Sequence, residues 1–189
     1  MWKVLDSFRG ADGKQRCGWC SGNDLYIDYH DNEWGRQVTG DNPIFERISL
    51  EGFQAGLNWL MILKRRDHLR NAFKNFQIDA VAKMKEKDID LLMSDPMLIR
   101  NRRKISSVID NAKVLSHIDI SISDLVWSFK PKQGHEDFSR AKSPESAELS
   151  KELKRLGLSF VGPTTMYAMM QSIGMVNDHH PECYLKKGE

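Results

Sequence analysis

Apolar residues along this chain recur at steps of three and four rather than two. The longest such run is "PIFERISLEGFQAGLNWLMILKRR", in which Ile44, Ile48, Glu51, Ala55, Asn58, Trp59 and Ile62 share one face. Asn42 as N-cap and Pro43 at the first helical position give this run a start, and the pattern predicts a helix to about Arg66. Further helices are predicted over about 68–75, from a cap at Asp79 through Lys85, from Asp88 to near Asp95-Pro96, and from about Asn101 to Leu115. A short helix is expected around "DLVWSF" within 118–130, another from Ser143-Pro144 to Gly157, and a last one from Pro163 to Gly174. Residues 131–142, "PKQGHEDFSRAK", read as a polar loop, and the aromatic-rich stretch 17–40 as short helix and loop. Residues 1–16 read as a loose polar extension broken by Gly10 and Gly13. No stretch joins alternation to β-branched enrichment, so the expected fold class is all-α, without repeats or low-complexity segments.

Composition narrows the class without deciding it. The chain has 189 residues and is 40% hydrophobic, enough for one compact domain or two small lobes with a real core. A net charge of +2 gives no global argument for nucleic acid, so such a case must rest on local patches. The N-terminus "MWKVLDSFRGADGKQR" has no apolar signal-peptide region, and no apolar run is long enough for a bilayer. Three cysteines make no disulfide framework, so the expectation is a reducing cytoplasm with metal binding or free thiols as the cysteine roles.

Those cysteines gather with histidines at the two ends of the chain. Cys17-x-x-Cys20 and His30 lie near one end, and His179, His180 and Cys183 near the other. A tetrahedral site takes thiolate and imidazole ligands, and Cys17, His30, His179 and Cys183 would supply two of each. Spacing alone does not choose between Cys20 and His30, or between His179 and His180. Closing such a site would tie the terminal segments together.

Glu51 interrupts an otherwise mostly apolar stripe. A charged residue there either pairs with a basic neighbour or faces a pocket where it hydrogen-bonds a ligand. Gly52 and Gly56 are costly inside a helix and suggest close approach by another backbone or by a flat ligand. Trp59, with Tyr26, Tyr29, Trp19 and Trp34, offers walls for a planar heterocycle, although each aromatic taken singly is more often core.

"ELKRLGLSFVGPTTMYAMMQSIG" places a tight turn between two helices. Gly157 permits a positive φ at the end of the first helix, Gly162 allows close backbone approach, and Pro163 opens the second helix with its first-turn N–H groups exposed. Thr164 and Thr165 add hydroxyl donors. Such a corner can hold a phosphate without reading sequence. The basic clusters Lys64, Arg65, Arg66 and Arg100, Arg102, Arg103, Lys104 are candidates for further phosphate contacts.

Taken together, "RCGW" at 16–19, "YHDNEWG" at 29–35, "LEGFQAGLNW" at 50–59, "IRNRRKI" at 99–105, "FVGPTTMY" at 160–167 and "NDH" followed by Cys183 resemble the DNA-3-methyladenine glycosylase I family of bacteria. The resemblance runs from about Arg16 to Cys183 in the same order. It implies an all-α helix-hairpin-helix glycosylase fold over 16–185, with the hairpin motif at about 152–174, beside an extension at 1–15 and a tail at 186–189. It implies one structural zinc ion on Cys17, His30, His179 and Cys183, leaving Cys20 and His180 as bystanders. The implied base-recognition carboxylate is Glu51, with Tyr29 and Trp59 as aromatic partners and Tyr26 and Trp19 as further walls. Gly157, Gly162, Thr164 and Thr165 would meet the DNA backbone. Many relatives in the wider superfamily place a catalytic Asp where this chain has Asn177; Asp178 is adjacent and receives no role. Asn58 departs from the commoner Ser. The implied activity is hydrolysis of 3-methyladenine from alkylated double-stranded DNA by a cytoplasmic monomer without membrane association. No lysine lies in the hairpin turn, so no lyase step is expected. The alternative is a catalytically silent zinc-containing module that binds DNA lesions.

Overall fold

The computed structural model describes residues 6–133 and 138–186. Residues 1–5 of the extension, 134–137 of the predicted polar loop and 187–189 of the tail lie outside the described residues. The chain runs β1 (Ser7–Arg9), β2 (Gln15–Cys17), a 3-10 turn at Gly18–Cys20, α1 (Asp24–Asn32), α2 (Asp41–Gln54), α3 (Trp59–Ala72) and a second 3-10 turn at Lys74–Phe76. It continues through α4 (Ile78–Ala82), α5 (Glu86–Ser94), α6 (Arg102–Leu115), α7 (Ile122–Ser128), α8 (Pro144–Arg155) and α9 (Pro163–Ser172). The expected helical class is therefore what forms. The exception is a small antiparallel hairpin, with Ser7 opposite Cys17 and Arg9 opposite Gln15. Strands of three residues are too short to show alternation, so this part of the presumed loose extension carried no pattern to read.

The helix predicted to run from position 43 to Arg66 is two helices. Gly56, at φ +77°, leaves the right-handed region just beyond the end of α2. Asn58 then caps α3, its side chain accepting the Met61 N–H. Gly40, not Asn42, precedes α2 as its N-cap. The Asn42 carboxamide instead accepts the Ile78 N–H at 2.9 Å and so serves the start of α4. The helix expected over 68–75 is the end of α3, Gln77 rather than Asp79 precedes α4, and α5 starts two residues before Asp88, whose carboxylate accepts the Lys85 N–H at 2.7 Å. The later signals hold. Asn101 caps α6, and Ser143 and Ser146 form a reciprocal cap with Pro144 in the first turn of α8.

α2 is the central helix and packs against α3, α6, α7 and α9, while α8 lies along α9. Ile44, Phe45, Ile48, Leu50 and Phe53 of α2 are buried against one continuous core that includes Phe73, Phe76, Ile105, Ile109, Met166 and Met170. Each such side chain contributes about 1.5–3 kcal/mol by leaving water. Asp41 links the start of α2 to α7 by accepting from the Ser123 N–H at 3.0 Å and the Ser121 hydroxyl at 2.6 Å. Among the described residues, no helix is long and apolar enough to cross a membrane.

Candidate functional site

Helices α1, α2 and α9, the start of α3, the loop after α7 and the C-terminal segment enclose a cavity of about 310 Å³. A cavity of about 150 Å³ accepts benzene, so this one has the scale of a bicyclic base. Its walls include Trp19, Tyr26, Tyr29, Trp34, Glu51 and Trp59, all six singled out from sequence. Trp59 lies on a different helix from Glu51, yet the sharp turn at 55–58 brings both to the same cavity. The rings of Tyr29 and Trp59 lie 5.5 Å apart at 48°, and Trp19 meets Tyr26 and Trp34 edge-on at 5.5 and 5.2 Å. The Tyr26 hydroxyl accepts the Leu60 N–H at 2.8 Å, which fastens the first turn of α3 to α1.

Glu51 is buried in this aromatic setting, and its Oε2 has no hydrogen-bond partner within the protein. Burial pushes its pKa up to about 8, with the nearby Arg47 charge opposing only in part. Its carboxyl is therefore mostly protonated near neutral pH. A buried polar atom without a partner is uncommon and calls for an explanation. Here the cavity supplies it, because the orphaned oxygen belongs to a residue of the cavity wall.

Sequence reasoning missed other parts of the wall. Gln54, Phe138, Arg140, Gln171 and Asp178 also line the cavity. Asp178 is buried, and its Oδ2 accepts from the Tyr167 hydroxyl at 2.8 Å and from Gln171 Nε2 at 2.7 Å. The sequence signal was its place next to Asn177, the position where many relatives in the wider superfamily carry an Asp, and no role was assigned to it. Asn177 is not among the cavity residues; its side chain accepts the His179 N–H at 3.3 Å and shapes the loop leading to that histidine.

Cys17, His30, His179 and Cys183 come together behind the aromatic wall, all buried, with one ligand atom of each within 4.8 Å of the others. Sulfur-to-nitrogen distances are 3.6 Å for Cys17–His179, 3.5 Å for Cys183–His30 and 3.6 Å for Cys183–His179. A tetrahedral ion with bonds of about 2.3 Å to sulfur and 2.0–2.1 Å to nitrogen sets such atoms about 3.5 Å apart. The donor set and its spacing therefore suit a metal ion. Cys20 turns its thiol to the Cys17 carbonyl, and the His180 ring meets Phe138 at 5.2 Å, so neither joins the cluster.

The α8–α9 corner has the geometry its glycines foretold. Gly157 has φ +102°, and Gly162 precedes α9 as an N-cap that offers no side-chain acceptor. The N–H groups of Thr164 and Thr165, after Pro163, have no intrahelical acceptor. Thr164 is exposed, Thr165 half-buried. The turn is braced from behind by Asn111, which accepts the Ser159 N–H at 2.8 Å and donates to the Ser159 carbonyl at 3.1 Å. Gly52 fits against this turn, where an added Cβ would lie 3.3 Å from that of Phe160; this is the close backbone approach expected near Glu51.

Several basic residues considered as phosphate ligands are committed elsewhere. Arg66 forms a paired contact with Glu33 at 2.6 and 2.7 Å. Arg102 pairs with Glu86 and Asp90, and Lys104 is buried against α2. Lys64, Arg100 and Arg103 are exposed.

The methyladenine glycosylase family model matches residues 19–187. A DNA-3-methyladenine glycosylase of Haemophilus influenzae is 42% identical over 180 residues, covering 90% of this chain and 97% of its own. The crystal structure of a 3-methyladenine DNA glycosylase I superposes with a TM-score of 0.86 at 41% identity, over 90% of this chain and 98% of that one. A variant of such an enzyme, solved in complex with 3-methyladenine, superposes with a TM-score of 0.82 at 30% identity, over 90% and 97% of the two chains. The chain belongs to the methyladenine glycosylase family.

Proposed function

We propose that the protein excises 3-methyladenine from alkylated double-stranded DNA, hydrolysing the N-glycosidic bond to release the free base and leave an abasic site. The observation that carries this reading is Glu51, a buried carboxyl with an unpartnered oxygen on the wall of an aromatic cavity. Methylation at N3 gives adenine in DNA a positive charge. A cationic base entering beside Glu51 provides the counter-charge that burial denies the carboxyl, so the carboxyl gives up its proton to solvent and the carboxylate forms as the base docks. Neutral adenine brings no such charge. The damaged base is also a good leaving group, so its bond to C1′ needs no strong general acid.

In this reading the Thr164 and Thr165 end of α9, with Gly157 and Gly162 in the preceding turn, holds a phosphate. The damaged nucleotide leaves the stack at a cost of a few kcal/mol, less than for an intact pair. The base stacks against the wall formed by Tyr29 and Trp59, Tyr26 and Trp19 complete the cavity, and Glu51 accepts from an N–H edge. The cationic base departs with the bonding electrons as neutral 3-methyladenine, while water adds to C1′ and gives its proton to solvent. The turn from Leu156 to Gly162 contains no lysine, so no Schiff base with the abasic sugar is expected.

The ion proposed for the Cys17, His30, His179 and Cys183 cluster is zinc, which favours tetrahedral thiolate and imidazole ligation. With all four positions filled by protein, bound zinc supplies folding free energy and holds the termini together rather than activating water.

Chromatography of bases released from methylated duplex DNA tests the reading. Wild type should release 3-methyladenine, and Glu51→Gln should release far less. No release by folded wild-type protein would overturn the activity and leave the silent lesion-binding module in its place.

A further inference from the structure

The N-terminal hairpin precedes the residues matched to the family, 19–187, and takes no part in the cavity wall or the α8–α9 corner. Its contacts run to the metal cluster. β2 ends on Cys17 itself. Arg16, immediately before it, is only 4% exposed and is held by carboxylates on two edges. One edge meets Asp31, with Nε at 2.9 and 3.0 Å and Nη2 at 2.7 Å. The other meets Asp12 in the hairpin loop, with Nη1 at 2.8 Å and Nη2 at 2.7 Å. Asp31 in turn places Oδ1 2.8 Å from His30 Nδ1. A continuous run of charged hydrogen bonds thus leads from the hairpin loop to the ring of one metal-cluster residue.

A second route reaches the other end of the chain. The Gln15 carbonyl accepts the Tyr184 N–H at 2.9 Å, one residue beyond Cys183. Ser7 donates its hydroxyl to Glu182, and Gln15 Nε2 donates to the Ser7 oxygen at 2.6 Å. The Tyr184 ring lies beneath Lys14 and Arg16. Gly10 lets the loop close over this bundle, since a Cβ there would fall 2.5 Å from Arg16 Nη1.

We infer that the hairpin at residues 6–16 is a strap that locks the metal centre, with Asp12, Arg16 and Asp31 as positioning residues for His30. The inference rests on reading the cluster as a zinc site. A carboxylate on Nδ1 fixes the imidazole tautomer and leaves Nε2, the atom 3.5 Å from Cys183 Sγ, as the ligating nitrogen. Arg16 fixes that carboxylate, and Asp12 stops the guanidinium from turning away. The hairpin thus holds His30 and the segment of Cys183 from behind and runs directly into Cys17, opposing the outward movement of these ligands that release of the ion calls for.

The test is the rate of zinc transfer from the full-length protein to a chromogenic chelator. Asp31→Asn should release zinc about 10–100-fold faster than wild type, the usual scale for a residue supporting a metal ligand. Asp12→Ala, at a 46% exposed side chain where folding should be undisturbed, should release it a few-fold faster. Glu152→Gln, in a surface pair with Arg155 on α8, should match wild type. Wild-type release by zinc-loaded Asp12→Ala overturns the strap, whatever Asp31→Asn does. Folded wild-type protein that binds no added zinc overturns instead the zinc centre beneath it.

Discussion

The ammonium of Lys104 lies 2.8 Å from the Phe53 carbonyl and 2.5 Å from the Ala55 carbonyl. It ends α2 three residues after Glu51, where the helix dipole favours a cation and two carbonyls lack intrahelical partners. Lys104 sits in the basic run that sequence reading had considered for phosphate contacts. Its burial gives it a different task, and lowers its pKa through desolvation.

Lys104→Met should therefore destabilise the protein by about 1–3 kcal/mol, because the two carbonyls lose their donor. It should weaken excision through the turn that joins Glu51 to Trp59. The slope of log K against log salt for DNA binding should stay at the wild-type value, since no phosphate contact is lost. A shallower slope, from titrations at several salt concentrations, would return Lys104 to the DNA interface.

Glu51 predicts a pH-dependent stability. Its folded pKa is raised from 4.5 to about 8, so the folded state binds more protons than the unfolded one between those values. Stability is then highest below the unfolded pKa and falls as pH rises through the folded one. Glu51→Gln removes that loss. Melting curves of variant and wild type should nearly coincide below pH 4.5 and separate progressively towards pH 8, with the variant higher by a few kcal/mol, at about 2–4 °C for each. Acid damage to the metal cluster affects both proteins alike, so the difference between them is the readout. A constant difference across the range would mean that Glu51 stays ionised in the empty cavity.

Asn111 is buried behind the α8–α9 corner and bonds both backbone groups of Ser159. Asn111→Ala should cost about 1–3 kcal/mol and loosen the turn that presents Thr164 and Thr165. Duplex affinity should drop while the release rate from saturated DNA changes less. Fluorescence anisotropy and single-turnover excision measure the two separately, and unchanged affinity would detach this corner from DNA.

Cys183→Ser should lower zinc content below one per chain and reduce the melting temperature, because the closed site is lost with its folding free energy. Elemental analysis with calorimetry gives both numbers. Full zinc occupancy in the variant would mean that Cys183 is not a ligand.

The sequence by itself determined the helical class, most helix starts and the chemical types at the site. Those signals are local: Asn101 and Ser143 cap within three residues, and Gly157 and Pro163 act on their own backbone. The break after α2 was written in Gly56 and Asn58, but the apolar stripe running across it outweighed them. Spacing left Cys20 and His180 in contention and the resemblance alone implied Cys17, His30, His179 and Cys183; the tertiary structure gives the physical ground, because the choice depends on atoms far apart in the chain meeting at about 3.5 Å. It likewise put Trp59 beside Tyr29, turned Lys104 inward and set Asp178 in the cavity wall. Burial separates a carboxyl in a pocket from one on the surface, and burial is a property of the packed chain rather than of any stretch within it.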